Sequence, residues 1–139
     1  MRIRLFAVMA LLFYTFSFTF ALAKNTGHKL RDGAAKPQVV FSTYANAVKR
    51  GDIGVVKSLV YSKGKVLWER SPRKMLAMSK GTIPDNPILQ SIKKKKEYQY
   101  QYAILAYRGI SPATKRQVNG EVWMIVEDGG WKVYNMIWK

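Results

Sequence analysis

The apolar residues of this chain change their spacing partway along it. From Pro37 onwards they recur every three or four residues, which is typical of amphipathic helices. From Tyr98 onwards apolar and polar residues alternate, which is typical of strands. Because the helical pattern comes first and the strand pattern comes last, the sequence predicts an α+β fold.

The first helix has recognisable ends. It is predicted to begin at Pro37, a residue favoured in a first turn, and to end at Gly51, just after the cations Lys49 and Arg50. Asp52 can then cap a second helix. We expect the two short helices to form an angled pair.

The middle of the chain is less regular. A polar turn is predicted at residues 62–65, and residues 66–68 fit either a brief strand or the edge of a third helix. A helix is expected from Ser71 to about Ser79, followed by a loop and by one or two helical turns at residues 88–94.

The last part of the chain is predicted to be an antiparallel meander. Its first strand covers residues 98–106 and carries Tyr100 and Tyr102 on one face, which we expect to pack against a helix. A hairpin turn at residues 127–130 joins the following two strands.

Residues 1–23 have the pattern of an export signal. Arg2 and Arg4 precede an almost wholly apolar stretch, and Ala21 and Ala23 supply the small residues that a signal peptidase needs. We expect cleavage after Ala23 and a periplasmic or secreted protein. The alternative is an uncleaved anchor, because the apolar stretch is close to the roughly 20 residues that span a bilayer.

Cleavage after Ala23 leaves a chain long enough for one domain with one core. Residues 24–36 are polar and basic and are expected to form a flexible linker, and residues 37–139 form the domain. The sequence contains no cysteine, which excludes disulfides, zinc–thiolate sites and thiol catalysis within it.

The chain is strongly basic, with a formal net charge of +16. Such a surface attracts polyanions, which outside the cytoplasm are anionic lipids, lipopolysaccharide and wall polymers, so nucleic acid is an unlikely partner. The alternative is that the excess lysine only keeps a small exported protein soluble. The sequence leaves both interpretations open, the binding of a polyanion and a role in solubility.

Four of these charges are consecutive and form what we call the lysine block. It leads into Tyr98, Tyr100 and Tyr102, and basic residues beside aromatic rings can hold anionic groups by charge and stacking. The sequence therefore offers an anion-binding site or, alternatively, a solvated segment. The block consists of Lys93, Lys94, Lys95 and Lys96.

Two segments resemble the ends of NTF2-like domains. Residues 44–52, an aromatic residue followed by small residues and a Gly-Asp pair, are similar to the opening helix of that superfamily. Residues 120–133, an apolar strand, an acidic glycine turn and a final Trp-Lys-Val, are similar to its closing hairpin. Within the superfamily the chain looks most like small exported domains of unknown function related to lumazine-binding and ketosteroid isomerase-like proteins.

The resemblance implies a cone in which N-terminal helices pack on a curved antiparallel sheet around an apolar pocket. Domains of this kind often form homodimers through the outer face of the sheet, so a homodimer is one expected oligomeric state. It does not imply a reaction, because the fold hosts both enzymes and inert binding modules. The residues expected to line the pocket are Tyr44, Trp68, Tyr100, Tyr102 and Trp123.

Tyr44 is the strongest catalytic candidate. The resemblance places it where ketosteroid isomerase-like enzymes carry a tyrosine that donates to an oxyanion. The position of their base carboxylate falls at Trp68, with Glu69 one residue away, so only a shifted register would supply the base. The one histidine, His28, has no orienting partner in the expected linker, and we predict neither a metal nor a cofactor.

The sequence thus predicts an exported NTF2-like domain, more a binding module than an enzyme, that takes a small apolar ligand or a protein partner. One alternative is a ketosteroid isomerase-like or dehydratase-like enzyme that uses Tyr44. Another is attachment to anionic lipid or lipopolysaccharide through the lysine block.

Overall fold

The computed structural model describes residues 28–139, so the expected export signal at residues 1–23 lies outside the described residues. Within the described part, four helices precede four strands, which confirms the α+β class. No helix in this part is both long and apolar enough to cross a membrane. The elements are α1 (Pro37–Arg50), α2 (Ile53–Leu59), α3 (Ser62–Arg70), α4 (Pro72–Thr82), β1 (Asp85–Glu97), β2 (Tyr100–Ile110), β3 (Gln117–Glu127) and β4 (Gly130–Trp138).

The turn between α1 and α2 forms as the sequence predicted. Gly51 adopts a left-handed conformation with φ of 74°, and its N–H donates to the carbonyls of Ala47 and Val48. Asp52 then caps α2 by accepting a hydrogen bond from the Val55 N–H at 3.2 Å. These two caps fix where the chain leaves α1 and enters α2.

The predicted polar turn at residues 62–65 is wrong, because these residues form the first turn of α3. The start of this helix is stabilised by Glu127, the last residue of β3. Glu127 accepts hydrogen bonds from the Ser62 N–H at 2.9 Å and from the Ser62 hydroxyl at 2.8 Å. A carboxylate at the N-terminus of a helix accepts hydrogen bonds from the free N–H groups of the first turn. Because this carboxylate belongs to another element, the sequence around Ser62 does not reveal it.

The helical turns predicted at residues 88–94 are also wrong. These residues belong to β1, which pairs in antiparallel fashion with β2. Lysine favours helices, yet pairing along a whole neighbouring strand outweighs a weak local preference.

The sheet is a simple meander with the order β1-β2-β3-β4. The β3–β4 hairpin turns at Asp128 and Gly129, with φ values of 54° and 77°, as an Asp-Gly turn requires. At the β4 edge, Val60 adds one parallel bridge to Val133. The opposite edge is formed by β1.

The core lies between α1 and one face of the sheet. Phe41 and Val48 of α1 are buried in one cluster with Leu105, Val122 and Met124 from the middle strands. The ring centroids of Phe41 and Tyr107 are 5.1 Å apart, which places α1 against β2. The space between α1 and the middle strands is therefore filled by side chains.

The tyrosine face of β2 points away from this core, contrary to the prediction. Ala103, Leu105 and Tyr107 are buried on the core side, whereas Tyr100 and Tyr102 alternate with them and are only half-buried. Because side chains along a strand alternate between faces, the two sets lie on opposite sides of the sheet. The helix therefore packs on Ala103, Leu105 and Tyr107, and Tyr100 and Tyr102 lie on the opposite face.

Residues 28–36 reach α1 along the turn end of the sheet. The Arg31 N–H donates to the Gly129 carbonyl at 2.9 Å, and the Arg31 side chain lies over Gly129. The His28 ring contacts the Tyr100 ring edge-on at 4.8 Å, so this histidine has a neighbour that the sequence did not predict. Residues 28–139 hold no cluster of acidic or histidine side chains suited to a metal ion.

Candidate ligand-binding site

A cleft of about 390 Å³ lies between α3, α4 and the end of β4. Its walls include Leu67 from α3, Met75 and Met78 from α4, and Met136 from β4. Among the described residues that line it, none carries a carboxylate or an imidazole. The cleft lies beside the filled core and is predominantly apolar.

The local sequence of α3 shapes one wall of this cleft. Trp68 is only 2% exposed and forms the inner side of the helix, while Leu67 is 54% exposed at the rim. Gly64 allows α3 to begin close to the preceding segment, since a Cβ at this position would lie 2.7 Å from a Val60 methyl group. The close approach brings Tyr61 into the same wall.

Two methionines on α4 form the facing wall. Met75 and Met78 are three residues apart and therefore lie on one side of the helix. Met75 is half-buried, whereas Met78 is 57% exposed at the rim. Methionine is unbranched and polarisable, so this wall can adapt to ligands of different shape.

Tyr44 of α1 supplies a polar group among these apolar walls. Its side chain is buried, and burial raises the pKa of Tyr44 to about 12, while a side-chain hydrogen bond with Ser79 acts in the lowering direction. The phenol therefore stays neutral at physiological pH. It can donate or accept one hydrogen bond without bringing a charge into the cleft.

The structure brings two of the predicted pocket residues, Tyr44 and Trp68, to this cleft. The other three, Tyr100, Tyr102 and Trp123, do not line it. They lie on the outer face of the sheet, because the tyrosines of β2 point away from α1.

On that outer face the aromatic rings pack on one another. The Tyr102 ring is 6.1 Å from Trp123 and 5.7 Å from Tyr134, and the Tyr134 ring is 4.8 Å from Tyr61. Tyr61 and Tyr134 also line the cleft. The aromatic cluster therefore continues to the cleft.

Glu69, the weak candidate for a catalytic base, is placed away from the cleft. Its carboxylate is exposed and lies 3.9 Å from the ammonium of Lys65, one helical turn earlier on α3. A general base must come within hydrogen-bond reach of the proton that it removes. Among the described residues, nothing beside Tyr44 provides one.

A second hollow, of about 710 Å³, lies between α1 and the beginning of β1. Its charged groups are already paired, since the Lys49 ammonium is 2.9 Å from the Asp85 carboxylate and donates to the Ile83 carbonyl at 2.8 Å. The hydrogen bond and the charge of Lys49 lower the pKa of Asp85. This hollow is more polar than the cleft and suits an apolar ligand less well.

The lysine block lies on β1, and its members point to both faces of the strand. Lys95 faces outwards, where its ammonium is 5.9 Å from the centre of the Trp123 ring and 3.2 Å from the Glu97 carboxylate. Lys94 and Lys96 alternate with it and point the other way. A flat anionic surface could therefore contact only part of the block.

Sequence reasoning missed most of the cleft wall, including Leu67 of α3, Met136 of β4, and the pair Met75 and Met78 of α4. The spacing of the two methionines on one helix face was the available signal. It did not distinguish a cleft from an ordinary core, because both use apolar residues at helical spacing.

Comparison with known proteins adds no assignment, because the sequence matches no protein-family model and no curated protein significantly. The geometry of the cleft and of the sheet edge therefore carries the functional argument.

The buried phenol of Tyr44 predicts a loss of stability at alkaline pH. The pKa of Tyr44 is about 12 in the folded protein and about 10 in an unfolded chain, so the neutral phenol contributes stability that is complete below pH 10. This contribution, of roughly 2 kcal/mol, is lost as the pH rises to about 12. In urea unfolding, Tyr44→Phe should lose less stability over this range than the unchanged protein.

Tyr98→Phe is the matched control for this prediction, because Tyr98 is 88% exposed. It removes a solvated phenol and should keep the steep loss of the unchanged protein. The same slope in all three proteins would contradict the environment assigned to Tyr44.

Proposed function

We propose that this chain is an exported, non-enzymatic binding domain whose cleft between α3, α4 and β4 takes a small apolar ligand. The observation that carries the proposal is the apolar rim. Leu67 and Met78 keep more than half of their surface exposed although both belong to the cleft wall. A ligand that covered them would gain about 25 cal/mol for each Å² of apolar surface removed from water.

The position of Tyr44 supports a ligand with one polar end. Small-molecule sites are commonly apolar cavities with a few polar groups that fix the orientation of the ligand. Here Tyr44 and Ser79 are the hydroxyl-bearing residues of the cleft that are buried. We infer a ligand with an apolar body and a hydroxyl or carbonyl group that meets Tyr44.

Binding is favoured over catalysis by the composition of the cleft. An isomerase or dehydratase built on Tyr44 would need a base, and the carboxylate of Glu69 is turned to solvent beside Lys65. A protein partner is the second candidate. The exposure of Leu67 and Met78 would suit an apolar side chain that such a partner inserts.

The NTF2-like cone belongs to the same proposal. It is supported by the order of the elements, helices first and an antiparallel meander last, and by the burial of α1 in the core of the sheet. The ligand site would lie at the margin of such a cone, since the space between α1 and the middle strands is filled.

Export to the periplasm or the exterior is proposed from residues 1–23. Protein recovered from the cell envelope should begin at or near Lys24 when its N-terminus is sequenced, and should stay in solution without detergent. Membrane-integrated protein that retains Met1 would instead support an anchor.

Two neighbouring residues on α3 offer a matched test of the cleft. N-phenyl-1-naphthylamine is a neutral apolar fluorophore that the net charge of the protein does not attract. Leu67→Gln should weaken its binding about fivefold, because part of the leucine's apolar contact is lost. Val66→Gln should leave the affinity unchanged, because Val66 is 41% exposed and does not line the cleft.

Fluorescence titration of the three proteins measures these affinities. Equal affinities for all three would contradict the cleft as the binding site. Failure of the unchanged protein to bind the probe saturably would contradict the proposed function itself.

A further inference from the structure

The free edge of the sheet has features that the cleft does not use. β1 is 13 residues long and pairs only with β2. Along a strand, successive backbone groups point alternately to its two sides, so about half of those in β1 face away from β2. Between residues 91 and 97 these outward groups have no hydrogen-bond partner within the described chain.

This part of β1 is also its regular part. The register shifts between Asp85 and Ile88 and again between Leu89 and Ser91, which distorts the first half of the strand. From Ser91 to Glu97 every residue pairs in turn with β2. Irregular edges resist the addition of another strand, whereas a regular edge about as long as an average strand of 5–6 residues accepts one.

The lysine block occupies the centre of the regular edge. All four lysines are exposed, and their alternation makes both faces of the edge basic. Lys95 is paired with Glu97, while Lys93, Lys94 and Lys96 have no ion-pair partner within residues 28–139. The β2 residues opposite the block carry no charge and are Gln101, Tyr102, Ala103 and Ile104.

The charge pattern selects among the possible occupants of this edge. A second copy that paired its own β1 here in antiparallel fashion would set lysine against lysine, which destabilises a sheet. An anionic membrane would attract the lysines but has no backbone groups to pair with the free edge. An extended peptide with acidic side chains on both faces would neutralise the whole block and pair with the free backbone groups.

We propose that the edge of β1 at residues 91–97 binds an extended acidic peptide segment by strand addition. The backbone of the segment pairs with the outward N–H and C=O groups of β1. Its carboxylates lie opposite Lys93 and Lys95 on one face and opposite Lys94 and Lys96 on the other. This site is separate from the cleft and does not depend on the function proposed for it.

The test uses a peptide of about eight residues, the length of a typical strand, with central consecutive glutamates flanked by threonine and valine. A second peptide has the same sequence with N-methyl groups on the glutamates, which keeps the charge and removes the backbone donors. Calorimetric titration of the purified protein at low salt should show that the N-methylated peptide binds at least tenfold more weakly. Amide hydrogen exchange at residues 91–97 should slow with the unmodified peptide only.

Changing all four lysines of the block to Gln should weaken the unmodified peptide about tenfold, since several exposed cross-strand charge pairs are lost. The matched control removes the same charge elsewhere through Lys36→Gln, Lys63→Gln, Lys74→Gln and Lys80→Gln. Both quadruple variants are titrated at physiological salt, where the summed field is screened, and this control should keep the affinity of the unchanged protein within about twofold.

Equal binding of the two peptides would overturn strand addition, because it would leave charge alone as the cause. Equal loss in the two quadruple variants would overturn the assignment to the block. Phosphatidylglycerol vesicles that bind through the block and displace the peptide, with no protection at residues 91–97, would assign the block to a membrane surface and overturn the proposal.

Discussion

The burial of α1 against one face of the sheet is the interaction on which the rest of the structure depends. Phe41 and Val48 lie in one cluster with Leu105 and Met124, and this burial fixes which face of every strand is the inner one. Because strand side chains alternate, it also fixes which residues face outwards. The outer aromatic cluster lies where it does because the opposite face of the sheet packs on α1. The same alternation divides the lysine block between the two faces of β1.

The cleft follows from what the remaining helices leave uncovered. Trp68 is the buried apolar residue of α3, and the buried residue of α4 is Ser79. Met75 and Leu76 of α4 pack partly against the core, whereas Leu67 and Met78 stay more than half exposed. Grouped apolar residues at a surface are typical of interaction sites, and this supports the binding role proposed for the cleft.

Local signals allowed part of the fold to be predicted from the sequence. Pro37, Gly51 and Asp52 mark helix ends by their own backbone chemistry, and the Asp128-Gly129 turn marks a hairpin. Of the residues expected to line a pocket inside a cone, Tyr44 and Trp68 lie at the cleft beside the core, which is a different place from the one that the resemblance implies.

The features that escaped prediction are those that depend on distant partners. The start of α3 depends on Glu127, and β1 depends on pairing with β2. Alternation along β2 defines two faces but does not say which of them packs on α1, because a shift of one residue in register exchanges the faces. In the fold, Tyr100 and Tyr102 lie on the outer face.

Methionine methyl NMR tests the central claim, namely that an apolar ligand occupies the margin of the core and not its interior. Met75, Met78 and Met136 line the cleft, whereas Met124 is fully buried in the core. On titration with N-phenyl-1-naphthylamine, the account predicts saturable shifts of the three cleft methyl signals and an unmoved Met124 signal. A shift of Met124 with unmoved cleft methionines would contradict it.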